Sequence, residues 1–208
     1  MKKFTKFFVI ILTVFTAIFS ASFANKNAVS AASNNKKKVL VVYFSRTKGV
    51  YGGNLKQGNT ARVAKYIQQH TDADIYEIVP KKNYPNDYEK TTEVAQKEQE
   101  TDARPAIKGK LPNVKKYDAI FIGAPIWWGE YPMVVRTFLD EAKGLNGKNL
   151  IPFTTHEGSG LGNTSEQLRQ QFPKAKVQRG FSVNGNKVKN DPKAVKKQVD
   201  SWLNKLNY

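Results

Sequence analysis

Two rhythms of apolar residues alternate along the chain. Val39–Phe44 is a near-continuous apolar run, the pattern of a strand covered on both faces. Thr60–His70 then places Val63, Ala64 and Ile67 on one helical face. Asp74–Val79 reads as a second strand, ended by Pro80, and Tyr84–Thr101 is polar, loop-like at first and helical around Glu89–Glu100. A third strand, Tyr117–Ala124, stops at Pro125. It is followed by a helix over Pro132–Asp140 with proline in its first turn and Val134, Val135, Phe138 and Leu139 inward. Asn149–Thr154 is the fourth strand, Thr164–Phe172 a helix with Thr164 and Gln167 at capping-box spacing, and Val177–Val183 the fifth strand. Asp191-Pro192 open a last helix whose Val195, Val199, Trp202 and Leu203 share one face. Five strands separated by helices predict an α/β fold, an open parallel sheet with right-handed crossovers. Such a sheet binds its ligand outside the carboxyl ends of the strands, where the strand order reverses.

The N-terminus breaks this rhythm. Lys2, Lys3 and Lys6 precede thirteen mostly apolar residues, Phe7–Phe19, and small residues follow at Ser22-Phe23-Ala24 and Val29-Ser30-Ala31. The apolar stretch is shorter than the ~20 residues a spanning helix needs. Residues 1–31 therefore read as a secretory signal peptide, 32–37 as a disordered leader, and 38–208 as a single domain. No twin-arginine pair is present, so Sec-type export is expected, with the mature protein secreted, extracellular or cell-wall associated. The chain has no cysteine, which excludes disulfides, thiol chemistry and lipid attachment at an N-terminal cysteine. Two histidines and no carboxylates at ligand spacing leave metal binding unsupported.

Charge changes the picture of partners. The chain carries a formal net charge of +17, and +13 once Lys2, Lys3, Lys6 and Lys26 leave with residues 1–31. Such a surface suits an anionic cell wall, a membrane surface or an acidic redox partner, or is simply a solvated basic surface. The lysines are scattered and no nucleic-acid recognition motif accompanies them, so nucleic acid is not expected.

Candidate chemistry begins where the first strand ends. Ser45-Arg46-Thr47 is followed by ten residues, Lys48–Gln57, and then by Gly58-Asn59-Thr60 at the start of the first helix. With the interruption closed, this is a strand, an S-x-T-G-N-T turn and a helix. Unpaired N–H groups and the helix dipole make such a turn an anion site. It lacks the glycine-lysine of the nucleoside-triphosphate loop and the G-x-G-x-x-G of dinucleotide folds. Ser45, Thr47, Asn59 and Thr60 thus point to a phosphate monoester. Phe121-Ile122-Gly123-Ala124-Pro125-Ile126-Trp127-Trp128-Gly129 and Pro152-Phe153-Thr154-Thr155-His156-Glu157-Gly158-Ser159-Gly160 are two further segments that end strands in unusual residues.

Together the three segments resemble the flavodoxins, in particular a flavodoxin-like subgroup with a P-I-W-W motif, over about Lys37 to Val188. The resemblance departs at the interrupted first loop. It implies a three-layer fold with strand order 2-1-3-4-5 and flavin mononucleotide (FMN) as cofactor. It also implies that Pro125, Ile126, Trp127 and Trp128 meet the flavin ring, and that Thr154, Thr155, His156, Glu157, Ser159 and Gly160 carry backbone donors to its pyrimidine edge. Adjacent side chains diverge, so one tryptophan at most stacks on the ring; the alternative is a hydrophobic cap on the sheet. His156 is either a proton donor or a solvated loop residue, and Gly129 allows a peptide that flips with redox state. Arg104 is expected to pair with carboxylates or to face the cofactor pocket. Two functions follow from the resemblance. One is an exported electron-transfer protein serving a redox partner protein or a small-molecule donor or acceptor. The other is an NAD(P)H-dependent FMN reductase acting on quinones or nitro compounds. A wall-binding protein that has lost its flavin is a third, weakened by three intact loops.

Overall fold

A computed structural model describes residues 37–208. The segment 1–31 assigned to a signal peptide, and the leader up to Lys36, lie outside the described residues. Among the described residues no helix is long and apolar enough to cross a membrane. Strands β1 (Val39–Tyr43), β2 (Asp74–Glu77), β3 (Ala119–Pro125) and β4 (Asn149–His156) form a parallel sheet, joined at its far edge by β5 (Lys176–Val177) and β6 (Phe181–Asn184). The helices are α1 (Asn59–Thr71), α2 (Tyr88–Glu100), α3 (Met133–Glu141), α4 (Thr164–Gln171), α5 (Gly185–Asn190) and α6 (Pro192–Lys205). The strand order is β2-β1-β3-β4-β5, with β6 also paired to β4. This is the flavodoxin-like three-layer α/β fold.

Strand alternation divides the core. Val39 and Val41, with Ala119, Phe121, Ile151 and Phe153, face α1, α5 and α6 through Val63, Ala64, Ile67, Val188, Val195, Val199 and Leu203. Leu40, Val42, Phe44, Ile120 and Ile122 face the other way, onto α3 and α4 through Val134, Val135, Phe138, Leu139 and Leu168. Each half is apolar, so the central strands read as continuous hydrophobic runs.

The fifth strand differs from expectation. Val177–Val183 is not one strand; β5 and β6 each pair with β4 in parallel, through Leu150↔Val177 and Phe153↔Phe181. Two residues of β4 thus face three of the neighbouring chain, Gln178-Arg179-Gly180. The reason lies in β4. The Leu150 carbonyl accepts the N–H of Gln178 (2.9 Å), so by alternation Pro152 also faces this edge. Proline has no N–H to give, and the ladder breaks there. Gly180 fills the break: a Cβ on it would lie 2.8 Å from the Pro152 carbonyl oxygen. The short helix α5, with only Val188 among its apolar residues fully buried, is likewise absent from the sequence reading.

Candidate functional site

The sheet order reverses at β1, and the segments after β1, β3 and β4 converge there on a cavity of about 490 Å³. The interrupted first loop is rejoined in space. Gly58 packs so closely on the upstream half that a Cβ would lie 2.2 Å from Ser45 Oγ and 2.7 Å from the Arg46 carbonyl oxygen. Ser45 Oγ accepts the Ala61 N–H (3.0 Å), and Leu55 N–H donates to the Thr47 carbonyl (2.8 Å), closing the base of the inserted segment. Asn59 and Thr60 are the first two residues of α1, and among the described residues no hydrogen bond takes up their N–H groups. The Thr60 and Thr155 hydroxyls are 2.8 Å apart and buried. One must donate to the other, so the pair has a single O–H left to offer to the cavity.

The second loop separates its tryptophans. Trp127 turns inward, its ring 5.5 Å from Phe44 and 4.9 Å from Tyr84, both edge-on. Trp128 turns outward, 53% exposed, with its indole N–H donated to the Thr92 carbonyl (3.0 Å). Trp127 and Glu130 exchange backbone hydrogen bonds of 3.1 and 3.0 Å around Trp128 (φ 49°) and Gly129 (φ 83°). With both central φ values positive this is a type I′ turn. A left-handed conformation costs a non-glycine residue about 1–2 kcal/mol. The turn is braced from behind: Gln167 Nε2 donates to Glu130 Oε2 (2.6 Å) and the Asn163 N–H to the Gly129 carbonyl (2.8 Å). The Trp128 carbonyl takes a long contact from Gln99 Nε2 (3.4 Å).

In the third loop, Thr154 Oγ1 donates to the Gly160 carbonyl (2.9 Å), folding the segment back on itself. His156 Nδ1 accepts the Gly158 N–H (3.0 Å), which fixes the neutral tautomer with its proton on Nε2. Partial burial holds this imidazole below its ordinary pKa, since losing water disfavours the cation. The same loss of water raises the Glu157 carboxyl, opposed by the Asn184 amide at 3.5 Å; Asn186 donates to the same oxygen at 3.2 Å.

Of the residues singled out in the sequence, Ser45, Asn59, Thr60, Pro125, Ile126, Trp127, Trp128, Thr155, His156, Glu157 and Ser159 line the cavity. Thr47, Thr154 and Gly160 do not. Thr47 is exposed, and Thr154 and Gly160 are tied to each other. Arg104 lies away from the cavity, paired with Asp102 and Asp140. Sequence reasoning missed one whole wall: α2 contributes Tyr88, Glu89, Thr91, Thr92 and Ala95, and the inserted segment Gly49, Val50, Tyr51 and Leu55. It also missed Arg46, half-buried, whose guanidinium donates to the Pro85 carbonyl (2.5 Å), the Tyr84 carbonyl (3.4 Å) and Thr91 Oγ1 (3.3 Å). Burial lowers the Arg46 pKa while leaving it a cation. The local signal for the start of α2 is Asp87, whose carboxylate caps the helix by accepting the Lys90 N–H (2.9 Å).

The residues fit a phosphorylated planar cofactor. Two free N–H groups and a spare hydroxyl gather at the start of α1, and aromatic rings with turn backbone complete the lining. A profile of the flavodoxin family matches residues 38–206. Among solved structures, a Bacteroides eggerthii protein assigned as a flavoprotein is 29% identical, with a TM-score of 0.63 over 83% of this chain and 99% of its own. A counterpart from Bacteroides uniformis is 30% identical, with a TM-score of 0.62 over 81% and 98%. A Lactobacillus acidophilus flavoprotein in complex with FMN shares the fold at 22% identity, with a TM-score of 0.57 over 76% and 99%. No curated protein matches the chain.

Proposed function

The chain belongs to the flavodoxin family, and from that premise we propose that it is an exported FMN-binding electron-transfer protein. The observation that carries this reading is the floor of the cavity. The unpaired N–H groups of Asn59 and Thr60 meet the Thr60–Thr155 hydroxyl pair there, at the positive end of α1. A solved flavoprotein of the same fold holds FMN. Bound flavin supplies the redox chemistry. The chain's own part is to hold the phosphate at the α1 N-terminus and to give the ring a bed of loop backbone at 125–128 and 155–159. Neutral His156 adds no positive charge beside the ring. The basic composition supports an anionic neighbour outside the cell, either wall polymer, membrane surface or an acidic partner protein.

A second reading, an NAD(P)H-dependent FMN reductase acting on quinones or nitro compounds, is favoured by the additional wall. A cavity closed on one side by α2 and the inserted segment suits a small molecule better than an open flavin edge would. One experiment separates the two. Purified protein is mixed with FMN, the visible spectrum of the flavin is followed, and NADPH is added anaerobically. A bound-flavin spectrum that stays oxidised supports the carrier, and prompt bleaching supports the reductase. A spectrum identical to free FMN refutes flavin binding.

A further inference from the structure

A second cavity, of about 500 Å³, opens where α6 passes the detour of the chain at Gln178-Arg179-Gly180. It shares no lining residue with the first. The two lie at opposite ends of α1. That helix starts at the first cavity, and about 16 Å along its axis His70 meets Asp200 Oδ1 (3.1 Å) and the Tyr208 carbonyl (3.3 Å), in and just beyond the last turns of α6.

The second cavity is a groove with an apolar floor and cationic walls. Phe181, Trp202 and Leu206 form the floor, the first two rings 5.2 Å apart. The Trp202 indole N–H is donated to the Arg179 carbonyl (3.0 Å), which ties α6 to the chain before β6 and fixes the spacing of the walls. Arg179 stands on one wall, Lys197 and Lys205 on the other. All three are exposed, and among the described residues none has an ion pair or a side-chain hydrogen bond. No carboxylate lines the groove, and the one acid within α6, Asp200, is taken by Lys196 (2.8 Å) and His70. Along α6 the exposed donors recur every four residues, Lys193, Lys197, Ser201 and Lys205, about 6 Å apart on the axis. Like charges at this spacing destabilise a helix slightly, and acids there would have offset them.

We infer that this groove binds a single strand of a phosphodiester polymer with small polyol or sugar links, laid along α6. The inference rests on the anionic-neighbour reading given above and selects one neighbour and one surface for it. Cations on two walls above an apolar floor admit a narrow chain, whereas a membrane or a folded acidic protein presents a broad surface. Donors met in series suit a charge repeated at intervals, and a phosphodiester carries one negative charge per repeat. The Arg179 fork matches a phosphate group, and the CH-bearing links would lie on Phe181 and Trp202. A strand held here leaves the first cavity open at the other end of α1.

The test is calorimetric titration of the full chain, with and without FMN, with poly(glycerol phosphate) at low ionic strength. Saturable binding is expected in both states, falling as NaCl is raised and far weaker for glycerol 3-phosphate. Each of Arg179→Gln, Lys197→Gln and Lys205→Gln should weaken it about two- to fivefold. Ser201→Glu places an acid four residues from both lysines, so it should strengthen the helix and still abolish binding. Lys81→Gln, Lys108→Gln and Lys110→Gln together remove the same charge near the β2 edge of the sheet, from exposed positions, and should leave affinity within about twofold. Absent binding overturns the inference, as does an equal loss in the two triple variants, which would reduce the effect to net charge. Glycerol 3-phosphate bound as tightly as the polymer also overturns it. Tighter binding of poly-L-glutamate or of phosphatidylglycerol vesicles, equally sensitive to Ser201→Glu, would give the groove to an acidic protein or a membrane instead. Failure of the wild type to take up FMN removes the flavin reading and leaves the polymer result standing, since that titration is also run without FMN.

Discussion

The Thr60–Thr155 pair allows a quantitative test of how the cavity floor is built. Its hydroxyls sit 2.8 Å apart in side chains 2% and 3% exposed, and among the described residues neither has another protein partner. Thr60→Val is nearly isosteric, so it leaves no void; its cost is the stranded Thr155 hydroxyl. A buried polar group deprived of its partner costs about 1–3 kcal/mol. Thr155→Val should cost a similar amount for the mirrored reason. The double variant removes both polar groups, a change that is close to neutral when shapes match. The single losses therefore fail to add, and the coupling energy is itself about 1–3 kcal/mol. In urea, with a slope of about 1–3 kcal/mol per molar, each single variant shifts the midpoint by roughly 1 M and the double variant by much less. The assay is equilibrium unfolding of the FMN-free protein followed by tryptophan fluorescence. FMN and riboflavin affinities measured on the same variants complete it. The pair has one O–H to spare, so losing it should weaken FMN more than riboflavin. Single variants that are as stable as wild type, or losses that simply add, would refute the pairing. Equal losses for the two flavins would reduce Thr60 to a structural strut.

Trp127→Ala, which empties a site packed against Phe44 and Tyr84, should cost about 3–5 kcal/mol by urea unfolding. Trp128→Gly exchanges an exposed ring in a left-handed conformation for the residue that prefers it, so stability should move by no more than about 1 kcal/mol in urea unfolding, while FMN affinity falls in a flavin titration. For His156 the folded pKa lies below the ordinary 6.5, so the unfolded chain protonates first as pH falls. The stability contributed by the neutral imidazole is full above about pH 6.5 and declines as pH drops through the folded value. NMR titration should place its midpoint below that of a free histidine, and His156→Asn should flatten the stability profile across this window. Gly162→Ala would set a Cβ 2.2 Å from the Gly129 carbonyl oxygen at φ 53°, forcing the second and third loops apart. It should cost more than about 1 kcal/mol and weaken FMN binding, checked by unfolding and flavin titration.

How much of this was legible in the sequence depended on range. Val39–Phe44 and Tyr117–Ala124 declare buried parallel strands because both faces are apolar, which is local information. The reunion of Ser45 with Gly58 across the ten-residue insertion Lys48–Gln57 was also legible, because both halves carry residues that suit a strand end and a helix start. The break in the fifth strand was not, since its cause, Pro152, lies on a different strand and acts only through register. Helix α2 was legible as a helix around Glu89–Glu100 but its role was not, because it buries only Thr91 and Ala95 and so shows no apolar stripe. Its place as a cavity wall follows from where Arg46 and Trp128 reach, contacts of long sequence separation that no window could contain. The two tryptophans were ambiguous for the opposite reason. Adjacency announced that they diverge, and only the packing of Phe44 and Tyr84 decided which one went in.

The interrupted outer edge has a consequence for how these molecules behave toward one another. A long, straight edge strand is a template on which a second chain can lay its own backbone. Here that edge is two short pieces, Lys176–Val177 and Phe181–Asn184, offset by an extra residue. Lys174, Lys176 and Arg179 add like charge along the same stretch. An incoming strand would find neither a continuous register nor a neutral approach. The proline that breaks the ladder inside the molecule thus also guards against sheet-to-sheet association between molecules.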